Sequence, residues 1–118
     1  MAASDFLIAL ENTDEIQLTT TGRVTGQQTS RPVWYVQQAG RLYLLPVRGS
    51  DSQWYKNVLR TPAISLAADG VQLSADATAV TDLRVVARIV EGFRAKYGRD
   101  DVARYYPHAD VAVEIPLG

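Results

Sequence analysis

The sequence has 118 residues, of which 47% are hydrophobic and 21% charged, the balance of a globular chain with one modest core. A formal net charge of -1 argues against a nucleic-acid partner, and the lack of cysteine removes disulfides, thiolate chemistry and Cys-ligated metals. Ten of the twelve cations are arginine, which suits planar, two-point contact with carboxylate or phosphate, so single arginines are more informative than the total charge.

The N-terminal stretch "MAASDFLIALENTDE" has no basic leader, and no segment approaches the roughly 18 apolar residues of a membrane span, so the chain is read as cytoplasmic. "SDFLIAL" predicts a short helix capped by Ser4 or Asp5. "EIQLTTT" alternates Ile16, Leu18 and Thr20 with Glu15, Gln17 and Thr19, a strand pattern. "GRVTGQQ" breaks it. "RPVWYVQQ" and "RLYLLPV" read as a hairpin turned by Ala39-Gly40. A short helix is expected from Ser52 to about Arg60, where Pro62 stops it. "AISLAA" and "VQLSADATAV" flank Asp69-Gly70, the clearest hairpin turn of the chain. Asp82 caps the longest expected helix, whose apolar face is Leu83, Val86, Ala87, Val90, Phe93 and Tyr97, and Gly98 ends it. "RDDVARYYPHAD" is a short helix or an irregular segment, and "VAVEIPL" is a last strand. The expected fold is a single α+β domain over residues 1–118: a six-stranded antiparallel split β-barrel with two to four short flanking helices.

Few residues are suited to acid–base or nucleophilic work. His108 is the only histidine, and there is no G-x-S-x-G elbow, so neither a hydrolase triad nor a dedicated zinc site is expected. His108 reads as a surface loop residue, and Asp14-Glu15 and Asp100-Asp101 as solvated or helix-capping acids. Nucleotide-binding glycine motifs are absent. Two loops rich in small residues and cations remain. One is "TTTGRVTG" with Arg31 downstream. The other is "RGSDSQWYKN", where Ser50, Asp51 and Ser52 sit at a helix start, with outward N–H donors and with Arg48 and Lys56 nearby. Taken alone, this second stretch reads first as an ordinary capped helix start carrying two core rings, Trp54 and Tyr55, and only second as a ligand pocket.

Together, "LTTTGRVTGQQTSRPVWYV" and "RGSDSQWYKNVLRTP" resemble the deazaflavin-dependent nitroreductase and quinone reductase family, within the flavin-binding split β-barrels that include pyridoxamine phosphate oxidases. "IVEGFRAKYG" and "YYPHADVAVEIPL" are similar to short relatives in that group. The resemblance implies a deazaflavin coenzyme, or FMN as the alternative, with hydride transfer to a small acceptor such as a quinone or nitro compound, and a homodimer. A non-catalytic module that binds a flavin or another anionic ligand is the other reading. Carried over position by position, the cofactor-binding residues are Arg23, Thr25 and Gly26 in the first loop and Arg31, Pro32, Val33 and Trp34 in the strand after it. Around the second loop they are Arg48, Gly49, Ser50, Trp54, Tyr55 and Asn57. Val24 and Thr29 stand where relatives often carry a cation, and Arg31 is placed to replace that charge. Trp54 is expected to face the pocket more than the core.

Overall fold

The computed structural model describes residues 2–117. The chain forms helix α1 (Ala2–Leu10), strands β1 (Glu15–Thr21), β2 (Gln28–Trp34), β3 (Val36–Gln38) and β4 (Arg41–Leu44), and a 3-10 turn (Gly49–Asp51). Helix α2 (Gln53–Arg60), strands β5 (Ala63–Ala68), β6 (Val71–Asp76) and β7 (Thr78–Val80), helices α3 (Leu83–Tyr97) and α4 (Arg99–Tyr105), and strand β8 (Ala112–Pro116) follow. The first helix begins at Ala2, so Ser4 and Asp5 lie inside it and do not cap it.

The strands form two four-stranded antiparallel sheets, ordered β2-β1-β5-β6 and β3-β4-β8-β7. Eight strands in two sheets replace the expected six-stranded barrel. The difference lies in the two longest expected strands, which each break once. "RPVWYVQQ" leaves the first sheet at Tyr35 and joins the second as β3, and "VQLSADATAV" does the same at Ala77 to become β7. A period-2 pattern cannot show such a break, because side chains keep alternating through it. The satisfied backbone shows why the bends hold. The Tyr35 N–H donates to Tyr97 Oη (3.1 Å) instead of to a strand, and the Tyr35 carbonyl accepts from Lys96 Nζ (2.9 Å). At the other bend the Ala77 N–H donates to the Pro62 carbonyl (2.9 Å).

The turns follow their chemistry. Asp69 (φ 48°) and Gly70 (φ 81°), and Ala39 (φ 52°) and Gly40 (φ 75°), are paired left-handed residues, as primed hairpin turns require. The Asp82 side chain caps α3 by accepting from the Arg84 N–H, and Gly98 ends that helix. Between the sheets, Ile16, Leu18, Leu42, Leu44, Leu66 and Ile115 join Phe6 of α1 and Trp54, Tyr55 and Val58 of α2 in the main core. A second apolar cluster lies under α3. There Val86, Ile89, Val90 and Phe93 cover Val36, Tyr43 and Ala112. The buried stripe of α3 therefore includes Ile89, while Leu83 and Ala87 face outward.

Candidate functional site

β3 and β4 pair as a hairpin from Val36↔Tyr43 to Gln38↔Arg41, but beyond Tyr35 the two arms part. β2 turns away to pair with β1, and the β4 arm continues through Leu45 to Val47 toward the 3-10 turn. A wedge-shaped cleft of about 480 Å³ opens between them. β2 lies at the edge of its sheet, so backbone groups on its free side have no ladder partner in that sheet. Pro32, Val33 and Trp34 form the β2 wall, Leu45 and Val47 the opposite one, and Trp54 closes the floor. Tyr105 and Tyr106 form the far end with Glu15.

A side pocket of about 380 Å³ shares Arg31, Val47 and Trp54 with the cleft and extends to Arg48, Asp51 and Gln53. Arg31 and Arg48 are exposed, and their guanidinium groups have no hydrogen-bond or ion-pair partner among the described residues. One end of an apolar, aromatic cleft thus carries two available planar cations, a donor set suited to carboxylate or phosphate.

The aromatic end is rigid. Trp34 stacks on Tyr97 with centroids 4.2 Å apart and planes 5° from parallel, and Tyr105 meets it edge-on at 5.4 Å. Tyr97 in turn donates to the Asp14 carbonyl (2.6 Å). Burial pushes the Tyr97 hydroxyl far above its usual range. Burial, and then the Glu15 carboxylate, push Tyr106 up to about 12. Neither hydroxyl is a ready proton donor near neutral pH.

The structure brings Arg31, Pro32, Val33, Trp34, Arg48 and Trp54 together at the cleft and places the other expected residues elsewhere. The first loop folds back on itself. The Gly22 N–H donates to the Gln27 carbonyl (2.7 Å), and Thr25 Oγ1 accepts from the Gln27 N–H (3.2 Å). Thr25 and Gly26 lie at its exposed tip, away from the cleft lining. Arg23 is committed to α2. It donates through Nη1 to Asn57 Oδ1 (2.8 Å) and through Nη2 to Gln53 Oε1 (2.7 Å), and its N–H also donates to Asn57 Oδ1 (3.2 Å). Asn57 is thus a buried anchor for that loop, and Tyr55, 4% exposed, is core.

The second loop is not an open set of amides. The Asp51 N–H donates to the Arg48 carbonyl, the Ser52 N–H to the Gly49 carbonyl, and the Ser50 N–H to Asp110 Oδ1 (2.9 Å). Gly49 and Ser50 therefore pack against the turn before β8 and do not line the cleft. Trp54 is both things the sequence left open: 3% exposed, in the main core, and at the cleft floor.

Sequence reasoning missed Glu15, Leu45, Val47, Tyr105 and Tyr106 as lining residues. The signal for the two tyrosines was present in "YYPHADVAVEIPL", one of the pieces that carried the resemblance.

Residues 7–113 match the model of a family described as uncharacterized proteins conserved in bacteria, DUF2255. The chain belongs to this family. No curated protein matches the sequence. Among solved structures, this DUF2255 chain is similar to a conserved hypothetical protein from Mycobacterium tuberculosis, with 22% identity, TM-score 0.74, and coverage of 98% of this chain and 79% of that one. It is also similar to an F420-H2 dependent reductase, with 18% identity, TM-score 0.66, and coverage of 86% and 93% respectively. A third is HutZ, the heme storage protein from Vibrio cholerae, with 13% identity, TM-score 0.70, and coverage of 95% and 86%. These likenesses show the shared fold.

Proposed function

We propose that the cleft binds a flavin-like cofactor, a deazaflavin or FMN, and supports hydride transfer to a small acceptor such as a quinone or nitro compound. The observation that carries this is the convergence of Arg31 and Arg48 on one end of an aromatic cleft whose long wall is a free strand edge. A flat heterocycle with donors and acceptors along its rim complements that edge, and its anionic side chain suits the arginines. Trp54, Val33 and Val47 supply the apolar contact. The cofactor supplies the redox chemistry when bound, so the cleft needs no nucleophile of its own. The residues of this chain bind, orient and exclude water. The similarity to a reductase named for its cofactor supports this reading through the shared fold.

The test is titration of purified protein with FMN and with the deazaflavin, read by absorbance and tryptophan emission, followed by assay of the reduced complex with a quinone. Tight binding with turnover supports the reductase. Tight binding without turnover selects a cofactor carrier. Failure of both cofactors to bind removes both readings.

A further inference from the structure

Asp110 lies in the turn between α4 and β8, outside the cleft lining. Its two oxygens are spent on one residue: Oδ1 accepts from the Ser50 N–H (2.9 Å) and Oδ2 from the Ser50 hydroxyl (2.6 Å). Those bonds hold its carboxyl below the ordinary range. Gly49 makes the approach possible. A Cβ at that position would stand 2.2 Å from Asp110 Oδ1 and 2.2 Å from the His108 carbonyl oxygen, and its φ of +58° already favours glycine. The segments on either side of this contact are cleft walls. On one side are Val47, Arg48 and Trp54. On the other are Tyr105 and Tyr106, five and four residues before Asp110.

We propose that Asp110 is the positioning residue of the cleft: its carboxylate takes both donors of Ser50, the N–H and the hydroxyl, and so clamps the loop that presents Arg48 to the segment that presents the Tyr105-Tyr106 wall. The clamp sets the cleft width, and it closes the loop amides to an external phosphate. A ligand's anionic group is left to the two arginines. This builds on the cofactor reading, but the clamp itself is a property of the chain and is tested without ligand.

Two measurements decide it. In the first, amide hydrogen exchange is followed in wild-type protein, Asp110→Asn, Asp110→Ala and Gly49→Ala, with Asp69→Asn as a surface control. Loss of the paired bonds is expected to speed exchange in residues 47–52 roughly threefold to tenfold, in Gly49→Ala as well as in Asp110→Ala, with the control unchanged. Exchange in that segment equal to wild type in both variants overturns the clamp, whether or not any cofactor binds. In the second, FMN and riboflavin, which differ by one phosphate, are titrated into wild type, Asp110→Asn, Ser50→Ala and the double variant. Asp110→Asn should weaken both ligands by the same factor, and the double variant should lose no more than the stronger single effect. A selective gain for FMN would show that the Ser50 donors are a phosphate seat blocked by Asp110, and additive losses would show that Asp110 does not act through Ser50; either overturns the proposal. If wild type binds neither ligand, the cofactor reading fails and the exchange result stands alone.

Discussion

Arg31 and Trp54 represent the two kinds of residue in the cleft, and they fail differently when changed. Arg31 projects from an edge strand and has no partner of its own among the described residues. Its replacement by alanine should leave the melting temperature within a degree or two while weakening FMN binding roughly tenfold, because a hydrogen bond to a charged group contributes on the order of 1.5–3 kcal/mol. Calorimetric titration checks this, and an unchanged dissociation constant would take Arg31 out of the site. Trp54, at 3% exposure, belongs to the core as much as to the floor. Trp54→Ala should cost roughly 3–5 kcal/mol in urea unfolding and abolish binding as a consequence. Trp54→Phe keeps most of the packing and isolates the contact with ligand. With Trp54 intact, its emission, read in a Trp34→Phe background, should be quenched by a bound flavin.

At the scale of elements, the bend at Tyr35 is the feature that makes a cleft out of a hairpin. Its backbone is held by Tyr97 and Lys96 at the end of α3, far away in sequence. Lys96 Nζ also sits 3.3 Å from the centroid of the Tyr35 ring, and burial lowers its pKa. Tyr97→Phe leaves the Tyr35 N–H without its acceptor while keeping the stack on Trp34, so it should destabilise by about 1–3 kcal/mol, measured by chemical denaturation. No property of "RPVWYVQQ" reveals the bend, because the groups that stabilise it come from another element. For the same reason the eight strands were read as six. What was legible was local: the alternation of β1, the Asp-Gly turn, the Asp82 cap, the Gly98 stop. Half of the candidate site was legible as well, through Arg31, Pro32, Val33, Trp34, Arg48 and Trp54. The other half was not, because Arg23 and Asn57 found each other, Asp110 took Ser50, and two tyrosines from the end of α4 became a wall.

For the molecule as a whole, acid should act partly through the turn before β8. The Asp110 carboxyl titrates below its ordinary value of 3.8 in the folded protein, chiefly through the Ser50 hydroxyl. Stability gained from a depressed carboxyl is fully present above the unfolded value and is lost as pH falls through the folded one. Wild type should therefore lose more stability than Asp110→Asn between pH 5 and 3, read from urea midpoints across that range, and parallel curves would count against it. Assembly is the other whole-molecule question. The outer face of the first sheet carries Gln17, Thr19, Thr21, Ser30, Ser65 and Ser74, with no lysine or arginine across its centre. Charge depletion of that kind suits contact with a second copy, and a homodimer is expected in light scattering at micromolar concentration.

The free side of β2 carries a hazard as well as a site. A strand that keeps one rim open for a ligand also offers that rim to any other extended chain, and an empty cleft leaves it available for β-sheet addition. The composition of β2 answers this. Arg31 puts a charge on the rim, and Pro32 interrupts its row of donors, the two devices that sheet proteins use against unwanted pairing. Binding and solubility thus rest on the same two positions. Removing both, in Arg31→Val with Pro32→Thr, should yield a protein that folds and then polymerises on standing, and added ligand should slow its aggregation by occupying the rim.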